Sequence, residues 1–110
     1  MAFIHYLFLG HFEHDGDMVR FSKSPSDSVY RPVVRCPLNL DGDDVAFPDD
    51  ESIWLDNGYL VCDKYTKNRE TIDFVARLVE RTRCDIYDVG AHQEIALHDW
   101  LAVRPAPTEV

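Results

Sequence analysis

The segment from Phe3 to Phe12 constrains the fold more than any other. In an extended strand successive side chains point to opposite faces, and here both faces are largely apolar. Phe3, Leu7 and Leu9 share one with His5 and His11, while Ile4, Tyr6, Phe8 and Phe12 occupy the other. A strand greasy on both sides belongs in the middle of a sheet that is covered above and below. The chain has 110 residues from which to supply the flanking strands and at least one cover. A domain of that size buries roughly two-thirds of its unfolded surface, enough for one small core. No Lys or Arg precedes the apolar run and no small-residue cleavage pattern comes after it, so it reads as a strand and not as a secretion signal.

Turn chemistry punctuates the rest of the chain. His14-Asp15-Gly16-Asp17 contains an Asp-Gly pair and predicts a hairpin into a strand from Met18 to Ser22. Lys23 to Ser28 reads as a loop, and Val29 to Cys36 as a strand with an edge or bulge at Pro32, which lacks a donor N–H. Pro37 to Ser52 reads as a loop. Ile53 to Leu55 and Tyr59 to Cys62 flank Asn57-Gly58, a pair suited to the positive φ values of a tight turn. Asn68 predicts the N-cap of a helix over Arg69 to Arg83. Its apolar stripe is read as Ile72, Val75, Ala76 and Val79, with Phe74 and Leu78 beside it. Cys84 to Val89 and His92 to Ile95 come next as strands, Leu97 to Leu101 as a helical turn, and residues 103–110 as a tail.

These elements predict a single α+β domain over residues 1–110: a small antiparallel or mixed sheet, one long helix packed on one face and a short C-terminal helical element. One helix covers one face. The face bearing Ile4, Tyr6, Phe8 and Phe12 then needs another cover, and two candidates are a second copy of the chain in a homodimer or the loop 37–52 through Leu38, Leu40, Val45 and Phe47.

Charge narrows the function. Eleven Lys and Arg face twenty Asp and Glu, a net charge of −9, and the basic residues are scattered, which argues against nucleic-acid binding. No apolar run reaches the length of a membrane helix. Three cysteines, Cys36, Cys62 and Cys84, form no Cys-x-x-Cys pair, fit neither a disulfide framework nor a zinc knuckle, and point to core packing and a cytoplasmic location.

The acidity is local. From Cys36 to Asp63 there are eight acids and no Lys or Arg, so this stretch holds −8 of the total −9. Asp41, Asp43, Asp44, Asp49, Asp50, Glu51 and Asp56 are the candidate partner-binding residues, with Val45, Phe47, Ile53, Trp54 and Leu55 interleaved as apolar anchors for a basic protein partner. An EF-hand is excluded by spacing, since the glycine at the sixth position and the closing glutamate at the twelfth are missing. His11 and His14 have an H-x-x-H spacing beside Glu13, Asp15 and Asp17, yet residues three apart on a strand face opposite ways, so no metal site is expected. His98-Asp99 lacks a recognisable nucleophile elbow. Phosphate loops and dinucleotide fingerprints are missing, and no catalytic residue or cofactor is expected. A second function class is a ligand pocket, in a small-molecule-binding or enzymatic domain, lined by Trp54, Tyr59, Tyr87, His92 and Trp100.

The stretch Glu70 to Thr82, then Cys84 to Asp88, then Ile95 to Leu101, resembles the C-terminal helix, strand and short helix of small bacterial proteins found among mobile gene-cassette products and toxin-immunity proteins. The resemblance implies a non-enzymatic interaction protein whose acidic surface meets a basic toxin, with Asp41 to Glu51 as the matching region.

Overall fold

The computed structural model describes residues 5–23, 30–40 and 46–102. In chain order these form β1 (Tyr6–Phe12), β2 (His14–Asp15), β3 (Met18–Val19), β4 (Phe21–Lys23), β5 (Tyr30–Pro32), β6 (Val34–Cys36), β7 (Ile53–Asp56), β8 (Tyr59–Asp63), α1 (Arg69–Thr82), β9 (Asp85–Asp88), β10 (Gln93–Glu94) and α2 (Leu97–Ala102). The apolar N-terminal segment takes the central place its two greasy faces require. The main sheet runs β10-β9-β1-β8-β7, with β6 paired to the far end of β1, and every described pairing is antiparallel. The fold is α+β, as expected. Among the described residues no helix is long and apolar enough to cross a membrane.

The two faces of β1 feed two cores. Leu7 and Leu9, with Leu60, Cys62 and Ile86 from the neighbouring strands, pack under Phe74, Val75 and Leu78 of α1 and Trp100 of α2. Phe8 and Phe12, with Tyr59, Val61 and Tyr87, form the opposite cluster together with Val19, Phe21 and Val34. Among the described residues, that second cover does not come from the loop 37–52. The loop after β6 goes to the helix side, where Leu38 is buried and Leu40 half-buried in the α1 core, and Phe47 meets Phe74 edge-on at 5.2 Å between ring centroids. The chain after β1 folds back over the other face instead.

That return path turns where the ladder breaks. Gly16 takes a φ of +66° in the β2–β3 turn, the Asp-Gly signal realised one residue on from the expected centre. Glu13 N–H donates to the Val33 carbonyl (2.8 Å), Val33 N–H to the Arg20 carbonyl (2.9 Å) and Arg20 N–H to the Glu13 carbonyl (2.8 Å). This closed triangle separates β3 from β4 and β5 from β6, so the two strands expected as continuous are each split, the second immediately after Pro32. Phe3 and Ile4 of the first strand, Val29 of the later one, and the tail 103–110 lie outside the described residues.

Gly10 lets the aromatic face close. A Cβ there would sit 2.9 Å from the Tyr59 Cβ and 3.0 Å from the Phe12 ring, so only glycine allows both side chains their places. The Asn57-Gly58 turn adopts positive φ at both residues, +51° and +91°, as the hairpin signal demands.

The helix begins at the expected cap: the Asn68 side chain accepts from Thr71 N–H at 3.0 Å. It ends at Thr82, with Arg83 in the left-handed region at φ +57° and its N–H on the Val79 carbonyl. The buried stripe is rotated from the expected one. Thr71, Phe74, Val75 and Leu78 are buried while Ile72 and Val79 sit at its margin, because the hydroxyl of Thr71 has a partner that lets a polar side chain go inside. At the other end of the sheet Lys64 Nζ lies 3.0 and 3.2 Å from the Asp88 carboxylate oxygens. That contact holds the ammonium above its ordinary pKa. The Lys64 carbonyl also accepts from Trp100 Nε1 at 2.9 Å, tying α2 to the sheet.

Candidate functional site

The acids of the candidate surface divide into two kinds. Asp41, Asp43 and Asp44 lie outside the described residues. Asp50 is a structural acceptor: it takes hydrogen bonds from the Ser52 N–H at 3.3 Å, the Ser52 hydroxyl and the Thr71 hydroxyl. The two hydroxyls, Ser52 first, hold its carboxyl below the ordinary value. Asp56 faces Arg31 at 3.4 Å and accepts from the Tyr59 hydroxyl at 3.2 Å, so a guanidinium offsets its charge. Asp49 and Glu51 are exposed.

Two large apolar side chains of the same segment are also exposed. Phe47 is 43% exposed although one ring edge rests on Phe74, and Leu55 is 52% exposed. Leu55 stands opposite Leu60 in the β7–β8 register, and cross-strand partners share a face, so it projects on the same side of the sheet as α1. Ile53 is buried in that core, whereas Trp54 turns to the other face and meets Tyr6 edge-on at 5.4 Å. Val45, the remaining expected anchor, falls outside the described residues.

The five aromatic and imidazole residues expected around a pocket do not share one wall. Trp54, Tyr59 and Tyr87 belong to the aromatic face, Trp100 to the helix face across the sheet, and His92 is exposed in the turn between β9 and β10 at φ +56°. Burial, aided by the neighbouring Asp56 charge, pushes the Tyr59 hydroxyl up to about 12, and burial raises Tyr87 as well. Both are acids kept neutral inside a core.

Of the H-x-x-H pair, His11 stands opposite Cys36 in the β1–β6 register. His14 is placed elsewhere: its Nε2 lies 2.8 Å from Glu94 Oε2 and 3.9 Å from Asp85 Oδ2. Asp85 Oδ2 also accepts the Phe12 N–H at 3.3 Å. Neither carboxylate can be inferred from the sequence, because the grouping depends on β9 running antiparallel beside β1, which brings the start of one to the end of the other. The signal that was present is His14 at a strand end among acids. His98 and Asp99 are 3.4 Å apart and largely exposed on α2. Cys62 and Cys84 are buried as expected, and burial pushes the Cys84 thiol up; Cys36 is exposed, contrary to the core reading, because β6 covers only the end of β1.

No protein-family model matches the chain, and comparison with curated proteins and with solved structures gives no match.

Proposed function

We propose that this chain is a non-enzymatic interaction protein whose segment 41–56 docks a basic protein partner. The observation that carries the reading is that Phe47 and Leu55 are exposed in the same segment as exposed Asp49 and Glu51, in a stretch that holds eight acids and no Lys or Arg from Cys36 to Asp63. Carboxylates steer a cationic partner and raise its association rate. Affinity then comes from the few large apolar groups that are desolvated on contact. The engagement of Asp50 and Asp56 within the fold narrows the contact set to Asp49, Glu51, Phe47 and Leu55 among the described residues. The resemblance to immunity proteins makes a basic toxin the partner class, in a bacterial cytoplasm. A homodimer no longer follows from the aromatic face, which Val19, Phe21 and Val34 cover from within. Self-association is a competing occupant of the Phe47 and Leu55 surface, and light scattering reads it directly.

The test measures binding of short Arg- and Lys-rich peptides, with and without an apolar residue, to the wild type and to two variants. D49N/E51Q should weaken binding and flatten its salt dependence. F47A should weaken only the peptides carrying an apolar residue, by about 2 kcal/mol, the size of an anchor loss. Equal binding by wild type and F47A across all peptides would reduce the surface to general electrostatics.

A further inference from the structure

We infer that His14, Asp85 and Glu94 form a binding site for a divalent cation of the zinc type. The three side chains come from separate strands: His14 from β2, Asp85 from the start of β9 and Glu94 from β10. One ligand atom from each lies within 4.8 Å of the other two. Around a cation with bonds of about 2.1 Å, neighbouring ligand atoms stand roughly 3 to 3.5 Å apart. The separations from His14 Nε2, 2.8 Å to Glu94 and 3.9 Å to Asp85, bracket that spacing. The third separation, between the Asp85 and Glu94 oxygens, is no more than 4.8 Å, so the three groups already converge on one point.

The surroundings hold the ligands in place. The register of β1 against β6 slips between His11 and Phe12, and the Phe12 N–H points to Asp85 Oδ2 instead of to the ladder. A bulge of this kind re-aims side chains beside it, and the hydrogen bond orients the carboxylate as an outer partner orients a metal ligand. Glu94 is set by the β9–β10 pairing opposite Tyr87, and His14 by its pairing with Val19, with β3 lying against β10.

The donor set selects the ion. Calcium and magnesium favour shells made of oxygen, whereas one imidazole with two carboxylates and no thiolate suits zinc, cobalt and their neighbours. The three side chains keep 34%, 26% and 32% of their surface exposed, so at least one coordination position faces solvent and accepts water. β10 and β7 end the sheet on opposite edges, which makes this site independent of the acidic docking segment beside β7.

The test uses the untagged, chelator-stripped full chain, titrated with Zn²⁺ by calorimetry and with Co²⁺ by visible absorption. The site predicts one equivalent bound, cobalt bands of nitrogen and oxygen ligation, and no displacement by Mg²⁺ at equal concentration. H14Q and E94Q should each weaken binding more than about tenfold, a loss that even outer-shell changes reach, while D49N/E51Q leaves it unchanged. Both ligand variants alter side chains about one-third exposed, and circular dichroism melts check that each folds. Absence of stoichiometric binding by the wild type, or binding that survives H14Q and E94Q, would overturn the site and leave a His14–Glu94 hydrogen bond.

Discussion

The hydroxyl of Thr71 donates to the carboxylate of Asp50, joining the first turn of α1 to the loop that enters β7. Thr71 is fully buried, so this bond decides whether a polar side chain can sit beneath the helix. The same carboxylate accepts from Ser52, and Asp50 therefore anchors the acidic segment to the fold.

Asp50→Asn should cost about 2 kcal/mol at neutral pH, the range for hydrogen bonds to a charged acceptor. The sign of its pH dependence comes from a carboxyl held below 3.8. A lowered folded pKa gives stability that is complete above the unfolded value and lost as pH falls through the folded one. Urea melts of wild type and D50N should therefore differ most at neutral pH and converge below pH 3.8. A constant gap across that range would show that the charge of Asp50 contributes nothing.

Tyr59 supplies the alkaline counterpart. Its hydroxyl is pushed from 10.0 up to about 12, by burial first and by Asp56 second. The folded state then holds a proton that the unfolded state releases, so the contribution is complete below pH 10.0 and disappears on the way to about 12. Tyr59→Phe should lower stability by about 1 kcal/mol at neutral pH through the lost bond to Asp56. It should also shallow the fall in stability with alkaline pH, as measured by urea melts.

Gly10→Ala tests the close packing of the aromatic face. Its new methyl would meet Tyr59 Cβ at 2.9 Å, and that atom cannot swing away as the end of a long side chain can. Overpacking of this kind costs about 1 to 3 kcal/mol, read as a lower thermal midpoint with the far-ultraviolet spectrum retained. An unchanged midpoint would mean that β1 and β8 shift apart freely.

What the sequence carried was local. The two faces of β1, the Asn57-Gly58 turn and the Asn68 cap each depend on a few adjacent residues, and each is present. What it did not carry depends on register between distant segments. Thr71 is not apolar, so a stripe read from hydrophobicity alone was rotated toward Ile72 and Val79. The placement of Phe47 on Phe74 depends on where the loop returns, and the meeting of His14 with Asp85 and Glu94 on the order of strands. The candidate acids were legible as a run of charge, but the bonds that remove Asp50 and Asp56 from the free surface involve Thr71 and Arg31, residues 21 and 25 positions away.

The central claim, docking of a cationic partner on the acidic segment through apolar anchors, is tested most directly by nuclear magnetic resonance. Amide signals of the labelled chain are monitored while an Arg-rich peptide bearing an apolar residue is added. Saturable shifts concentrated in residues 41–56, with Phe47, Asp49, Glu51 and Leu55 among the largest, are the predicted result. Shifts scattered over the other acids, such as Asp73 and Glu80 on α1, or shifts that do not saturate, would contradict it.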